Sequence, residues 1–352
     1  MTNADFKKNS KKLGIISRKS ISVSQDELIK TSYLQPEISL PLVVQPNVDT
    51  LNLIVWTQHN RDWIENQLWK HGGILFRDFQ VKNVTEFEQF MQVISGNLLE
   101  YSYRSTPRSH VSGNIYTSTE YPATHFIPLH NEMSYSRTWP LKIAFFCITK
   151  APQGGETPIA DSRRIFARLD TKIKEKFLQK QVMYVRNYGI GLDLSWQNVF
   201  NTNNRIEVET YCHNAGIQLQ WRDSDASGLS LKTRQICQAV AKHPQTSEIV
   251  WFNQAHLFHI SNLEPTVIAQ LFANFQEEDL PRNTYYGDGS AIETSILEEI
   301  REIYQQEAII FPWQEGDVLL LDNMLSAHGR MPFQGSRKVV VGMGEEYSWQ
   351  DF

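Results

Sequence analysis

Apolar residues recur along this chain with two periods. Between Thr85 and Leu99, Phe87, Phe90, Met91 and Ile94 fall on one face of a 3.6-residue repeat, so the spacing predicts a helix. Ile64, Leu68 and Trp69 give Gln58–Lys70 the same reading, and it stops at Gly72-Gly73, where glycine suits the position after a helix. Further helices are expected over Arg163–Lys180, Arg234–Lys242, Glu264–Gln276 and Ala291–Gln305. Ile74–Phe76 reads as a short buried strand. Beyond it, β-like runs recur between turn residues: Asn114–Thr119, Ile143–Thr149, Val182–Tyr188, Ile217–Arg222, Ile249–Phe252, Ala308–Phe311, Val318–Leu321 and Lys338–Met343. Helices interrupt these strands without a regular β–α alternation. That pattern predicts a mainly β fold, an antiparallel sandwich or barrel with peripheral helices.

Composition narrows the class. The 352 residues are 41% hydrophobic and 21% charged, with nine Trp, as expected of a globular chain with a large core. Net charge is −5, unevenly spread: six basic residues against Asp5 give residues 1–20 a charge of +5, leaving −10 for the rest. An acidic body argues against nucleic-acid binding, which needs many Lys and Arg contacts to phosphate. Residues 1–25 are expected to be a solvated basic tail, and 26–352 a single domain. No apolar run reaches membrane-spanning length, and the basic start lacks the apolar stretch of a secretory signal. Cys147, Cys212 and Cys237 are odd in number and far apart, which points to a reducing cytoplasm rather than a disulfide framework.

Two segments carry chemistry. In Ile127–Tyr135, an extended backbone sends His130 and Glu132 to the same side and Asn131 to the other. An imidazole and a carboxylate converging in this way offer two adjacent metal positions, although His-x-Glu alone arises often by chance. In Gly316–Arg337, a Gly-Asp turn and a buried apolar run lead to a polar cluster that delivers His328. After a turn at Gly335-Ser336, Arg337 stands at the mouth of an apolar strand, placed for an internal ion pair or a bound carboxylate. Two histidines and one carboxylate leave one face of a non-haem Fe(II) open, whereas a structural zinc site is closed and more often recruits Cys. Other clusters offer less. His256 and His259 lack an acidic or Cys partner, Asp288 sits in a Gly-rich turn without a phosphate-binding Lys, and no Gly-x-Ser-x-Gly elbow occurs.

Several ordered motifs together resemble a known family. They are Gly72–Phe79, Thr117–Pro122, His130–Tyr135, Gly154–Pro158, Trp251–Gln254 and Trp313–Met343. The chain resembles the taurine dioxygenase/clavaminate synthase-like branch of Fe(II)- and 2-oxoglutarate-dependent oxygenases. Within it, the likeness is to amino-acid hydroxylases associated with nonribosomal peptide pathways. The resemblance implies a double-stranded β-helix, or jelly-roll, core. It makes His130, Glu132 and His328 the iron ligands and assigns Thr157 and Arg337 to 2-oxoglutarate. Glu132 stands where taurine dioxygenase has Asp, which weakens any expectation of taurine as substrate. An intact triad also separates the chain from related halogenases, whose carboxylate ligand is replaced by a small residue.

The implied cosubstrates are 2-oxoglutarate and O2, and the implied reaction is hydroxylation of an amino acid, free or tethered to a peptidyl carrier protein. Arg108, Asn131, Ser134, Asn253 and Arg330 are the candidate substrate contacts, with Arg104 nearby. Desaturation, cyclisation or sulfonate cleavage are alternative oxidations from the same machinery. A non-catalytic jelly-roll binding module is the alternative outside enzymes.

Overall fold

A computed structural model describes residues 28–100, 103, 105, 108–118, 121–189, 193–224 and 228–349. The expected basic tail, residues 1–25, lies outside the described residues. With strands numbered in chain order, the largest sheet begins with the hairpin β1 (Ile29–Gln35) and β2 (Ile38–Pro46). β2, which carries Pro41 and Pro46, runs parallel to β3 (Gly73–Phe76). The sheet continues through β16 (Val318–Asp322), β7 (Thr138–Thr149), β19 (Lys338–Ser348), β5 (Ile115–Thr117) and β4 (His110–Ser112). A second sheet of three strands has the order β6 (Ile127–His130), β17 (Ser326–Arg330), β9 (Ile159–Asp161).

Side-chain alternation explains why these two sheets face each other. On the strands β7, β16, β3 and β19, Ala144, Phe146, Val318, Leu320, Ile74, Phe76 and Val340 point one way. They bury against Ile64 and Leu68 of the helix Arg61–His71 and Phe87, Phe90, Met91 and Ile94 of Val84–Ser95. The intervening residues Ile143, Phe145, Cys147, Leu319, Leu321, Val339 and Val341 point the other way and join Ile159 of the small sheet. Such period-two division gives one sheet two buried faces. The inner face meets the small sheet directly, with the Phe145 and His328 rings 4.9 Å apart. The fold is therefore mainly β with helices outside it, and the facing sheets have the layering of a jelly roll.

A third sheet, β11 (Gln218–Ser224), β12 (Gly228–Cys237), β10 (Val182–Tyr188) and β15 (Arg282–Tyr286), stands in that order. Two short pairs complete the described strands: β13 (Val240–Lys242) with β14 (Ile249–Trp251), and β8 (Gln153–Gly154) with β18 (Phe333–Gln334). Arg234–Lys242, expected as a helix, is instead the end of β12 and all of β13. β12 has β10 alongside it through Cys237 and β11 on its other side as far as Arg234, so strand pairing overrides local spacing. Ala308–Phe311, expected as a strand, makes only one bridge, Ile309 to Ile159, and Pro312 then removes the next donor.

Two expected helices are interrupted. Asn60, whose Nδ2 donates to the Trp56 carbonyl, separates Leu53–His59 from Arg61–His71, and Asp170, whose side chain accepts from the Lys172 N–H, separates Ser162–Arg168 from Thr171–Lys180. The helix Arg61–His71 does end at Gly72, at φ 77°, whose N–H donates to Leu68. A Cβ at Gly72 would come within 2.6 Å of the Ser326 Oγ, so the helix end docks tightly on the start of β17.

Candidate active site

β6 and β17 run antiparallel with His130 directly opposite His328, and their ring centroids are 4.6 Å apart. After His328 the ladder shifts by a bulge in β6 opposite Gly329, where a Cβ would meet the Ile127 carbonyl at 2.6 Å. β6 ends at His130, so Glu132 sits in a turn rather than on the extended strand that alternation predicts. The turn still brings its Oε2 to 3.6 Å from the His328 Nε2. Ligand atoms of His130, Glu132 and His328 all lie within 4.8 Å of one another, the one such trio of His, Cys, Asp or Glu among the described residues.

The electrostatics suit a metal. The His130 Nδ1 lies 2.8 Å from the Pro128 carbonyl, which can only accept, so Nδ1 carries the proton and the Nε2 lone pair is available. Burial, then the neighbouring His328, pushes the His130 pKa down to about 4, so the ring is neutral near pH 7. Burial opposes ionisation of Glu132, but the Arg108 guanidinium, whose Nη2 donates to its Oε2 at 2.7 Å, and the two histidines hold its carboxyl well below the usual range. Two imidazoles and an ionised carboxylate on one side form a donor set that fits Fe(II) with open positions opposite. Cys147, Cys212 and Cys237 are buried free thiols outside this cluster.

The expected substrate contacts fall into different places. Arg108 pairs with Glu132, both side chains being buried. Asn131 points away from the triad, its Nδ2 donating to the Ser162 Oγ and the Asn323 carbonyl. The Ser134 hydroxyl donates to the Asn131 carbonyl, and Asn253 spans the Ala239 carbonyl and the Ala255 N–H. Arg330 ties down the 121–125 segment through the carbonyls of Tyr121, Pro122 and His125. Arg104, Thr119 and Glu120 lie outside the described residues.

Thr157 is buried, and its hydroxyl accepts from the Trp313 Nε1 at 3.2 Å, which leaves its own hydrogen to donate elsewhere. The Arg337 Nε donates to the Gly155 carbonyl and its Nη1 to the Ser118 Oγ. Among the described residues, no carboxylate forms an ion pair with Arg337. Burial, then Arg330, pushes its pKa down to about 10, so it remains a cation. Of the rival clusters, His256 sits on a single turn, Ala255–Phe258, donating to the Leu129 carbonyl and stacking on Tyr304. His259 caps the following turn, and Asp288 pairs with Lys180.

Sequence reasoning missed the residues behind the triad. Asn323 bonds the Glu132 backbone on both sides, and the Gln254 Nε2 donates to the Asn131 carbonyl at 2.8 Å. Both lie inside the family-like segments, yet nothing in their spacing told what they touch.

A two-sheet core carrying an open His-Glu-His site defines a non-haem iron oxygenase. The sequence profile of the "Taurine catabolism dioxygenase TauD, TfdA family" matches residues 31–343, and the chain belongs to that family. It is an Fe(II)- and 2-oxoglutarate-dependent dioxygenase that uses O2. The chain is 41% identical over 280 residues to the dapdiamide synthesis protein DdaC of Enterobacter agglomerans, covering 80% of this chain and 84% of that protein. It is 28% identical over 318 residues to a clavaminate synthase-like protein of Arabidopsis thaliana, covering 88% and 89%. Among solved structures, the PvcB protein of Pseudomonas aeruginosa shares the fold with a TM-score of 0.53 at 14% identity, over 92% of this chain and 94% of that one. AAD-2, solved with Mn(II) and N-oxalylglycine, does so with 0.50 at 15%, over 92% and 98%.

Proposed function

We propose that this dioxygenase hydroxylates an amino acid, free or held as an aminoacyl group on a carrier protein, in a specialised pathway of the nonribosomal peptide type. The observation that carries the chemistry is the convergence of His130, Glu132 and His328 at one open site. Likeness to a protein named for dapdiamide synthesis supports the biosynthetic setting. Retention of Glu132 as a ligand, rather than a small residue, favours hydroxylation. The reading keeps 26–352 as one domain, because His130 and His328 come from strands distant in the chain but adjacent in space. No helix among the described residues is long and apolar enough to cross a membrane, and the free thiols are in keeping with a cytoplasmic enzyme.

In this reading His130, Glu132 and His328 hold Fe(II). When bound, the iron and 2-oxoglutarate supply the oxidising chemistry, with succinate and CO2 as coproducts. The chain's own residues bind and orient. Arg337 pairs with the distal carboxylate of 2-oxoglutarate, and the Thr157 hydroxyl donates to the cosubstrate. Arg108 keeps Glu132 ionised in a site that burial would otherwise neutralise. Phe145 and the inner face of the large sheet keep water from the back of the His328 ring.

The test is a succinate-release screen over free amino acids and aminoacyl carrier proteins, with products analysed by mass spectrometry. Substrate-dependent succinate and a product gaining one oxygen atom are expected, and His130→Ala abolishes both. Normal turnover in chelated, iron-free protein would contradict the reading, and loss of two hydrogens in the product would point to desaturation or ring closure.

A further inference from the structure

Glu132 stands just past the end of β6, where no ladder bond fixes its backbone, and Met133 follows it at φ 57°. A ligand on such a turn needs its peptide groups held by something other than a neighbouring strand. Asn323 supplies this. Its Oδ1 accepts from the Glu132 N–H at 2.7 Å, while its Nδ2 donates to the Glu132 carbonyl at 2.9 Å and the Pro140 carbonyl at 2.8 Å. Accepting from the N–H and donating to the C=O of one residue is the pairing a strand neighbour makes. A side-chain carboxamide therefore stands in for a strand that is not there. Asn323 is fully buried, and its own backbone is held from both sides: its N–H donates to the Leu141 carbonyl and its carbonyl accepts from Asn131.

The support continues one layer outward. Asp322 caps the turn between β16 and β17, its Oδ1 accepting from the N–H groups of Met324 and Leu325. Its Oδ2 lies 2.9 Å from the His243 Nε2. The His243 Nδ1 accepts from the backbone N–H groups of Gln245 and Thr246, so the ring proton sits on Nε2 and is donated to Asp322. His243 and Asp322 are both buried.

We propose that Asn323 is a positioning residue of the metal centre: it sets the backbone of Glu132 so that the carboxylate meets His130 and His328, and Asp322 with His243 holds Asn323 in place. This rests on the reading of those three residues as the metal ligands. Partners that orient a ligand typically change metal affinity by roughly 10–100-fold when removed.

The test is a titration of the full chain with Mn(II) alone, followed by the EPR signal of the free ion, beside thermal melting of the metal-free protein. Asn323→Ala removes the whole carboxamide, whereas Asn323→Asp keeps an acceptor for the Glu132 N–H and loses both donations. Both are expected to bind Mn(II) roughly 10–100-fold more weakly. His243→Ala should follow in the same direction, and His243→Gln, which retains an N–H donor, should recover part of the loss. Asn187→Ala is the control for a general packing defect, since Asn187 is a buried amide on β10 of the third sheet that holds the carbonyls of Glu278 and Leu280 in the turn before β15. It should lower the melting temperature and leave Mn(II) affinity at the parent value. Should Asn323→Ala fail to fold, Asn323→Asp and His243→Ala still decide the matter. Parent-like affinity in the Asn323 variants overturns the proposal, as does an equal loss in Asn187→Ala. His130→Ala separates the two levels: if it too binds Mn(II) normally, the ligand reading itself has failed.

Discussion

In the proposed reading, Arg337 separates cosubstrate binding from metal chemistry. Its guanidinium is a half-buried cation that donates to a carbonyl and a hydroxyl, so a carboxylate ligand would meet an unneutralised charge. A charge-assisted hydrogen bond contributes about 1.5–3 kcal/mol, which corresponds to a change of about 10–100-fold in affinity. Arg337→Gln is therefore expected to raise the KM for 2-oxoglutarate by that factor, with Mn(II) affinity unchanged. Steady-state kinetics with a metal titration check it, and parallel losses of both would contradict the assignment. The clustering of His130, Glu132 and His328 was legible in the sequence because a metal site draws on few residue types and because several ordered motifs occur together. The surroundings were not. Arg108, expected to touch substrate, lies on Glu132, and Asn323 clamps the Glu132 backbone from a segment far along the chain. Local spacing specifies which way a residue points, but not which distant group it will meet.

The central strand β7 carries the division of labour between the two faces of the large sheet. Phe146 stacks on Phe87 of an outer helix, while its neighbour Phe145 packs on His328. Truncating either removes a large buried ring, at a cost of about 3–5 kcal/mol in unfolding free energy. Phe146→Ala should show that cost alone, whereas Phe145→Ala should also weaken metal binding by freeing the His328 ring. Denaturant unfolding beside a metal titration distinguishes them, and identical behaviour would refute the two-face account. Elements with a strong period were read correctly, such as β7 and the apolar face of Val84–Ser95. Those decided by partners were not: the end of β12 has a helical spacing of apolar residues, yet β10 pairs it through Cys237 and β11 as far as Arg234. Breaks within the expected helices fall at single polar residues that periodicity does not register: Asn60, which bonds back to the Trp56 carbonyl, and Asp170, which caps the next helix.

Across the whole molecule, the site exists only because the fold returns. β6 and β17 are separated by most of the large sheet's later strands and the entire third sheet, yet they pair with their histidines in register. The third sheet is therefore an excursion between His130 and Glu132 on one side of it and His328 on the other. This closure gives the family resemblance its physical content, since motifs in that order are needed to bring the three side chains to one point. The charge of the chain is less informative: its −10 body argues only against nucleic acid, while Arg337, the cation proposed to hold 2-oxoglutarate, lies within that acidic body. The most direct test of the central claim is the visible spectrum of anaerobic protein given Fe(II) and 2-oxoglutarate. The account predicts a weak charge-transfer band in the parent that disappears in His130→Ala and in His328→Ala. A parent without the band, or a band that survives both substitutions, would contradict it.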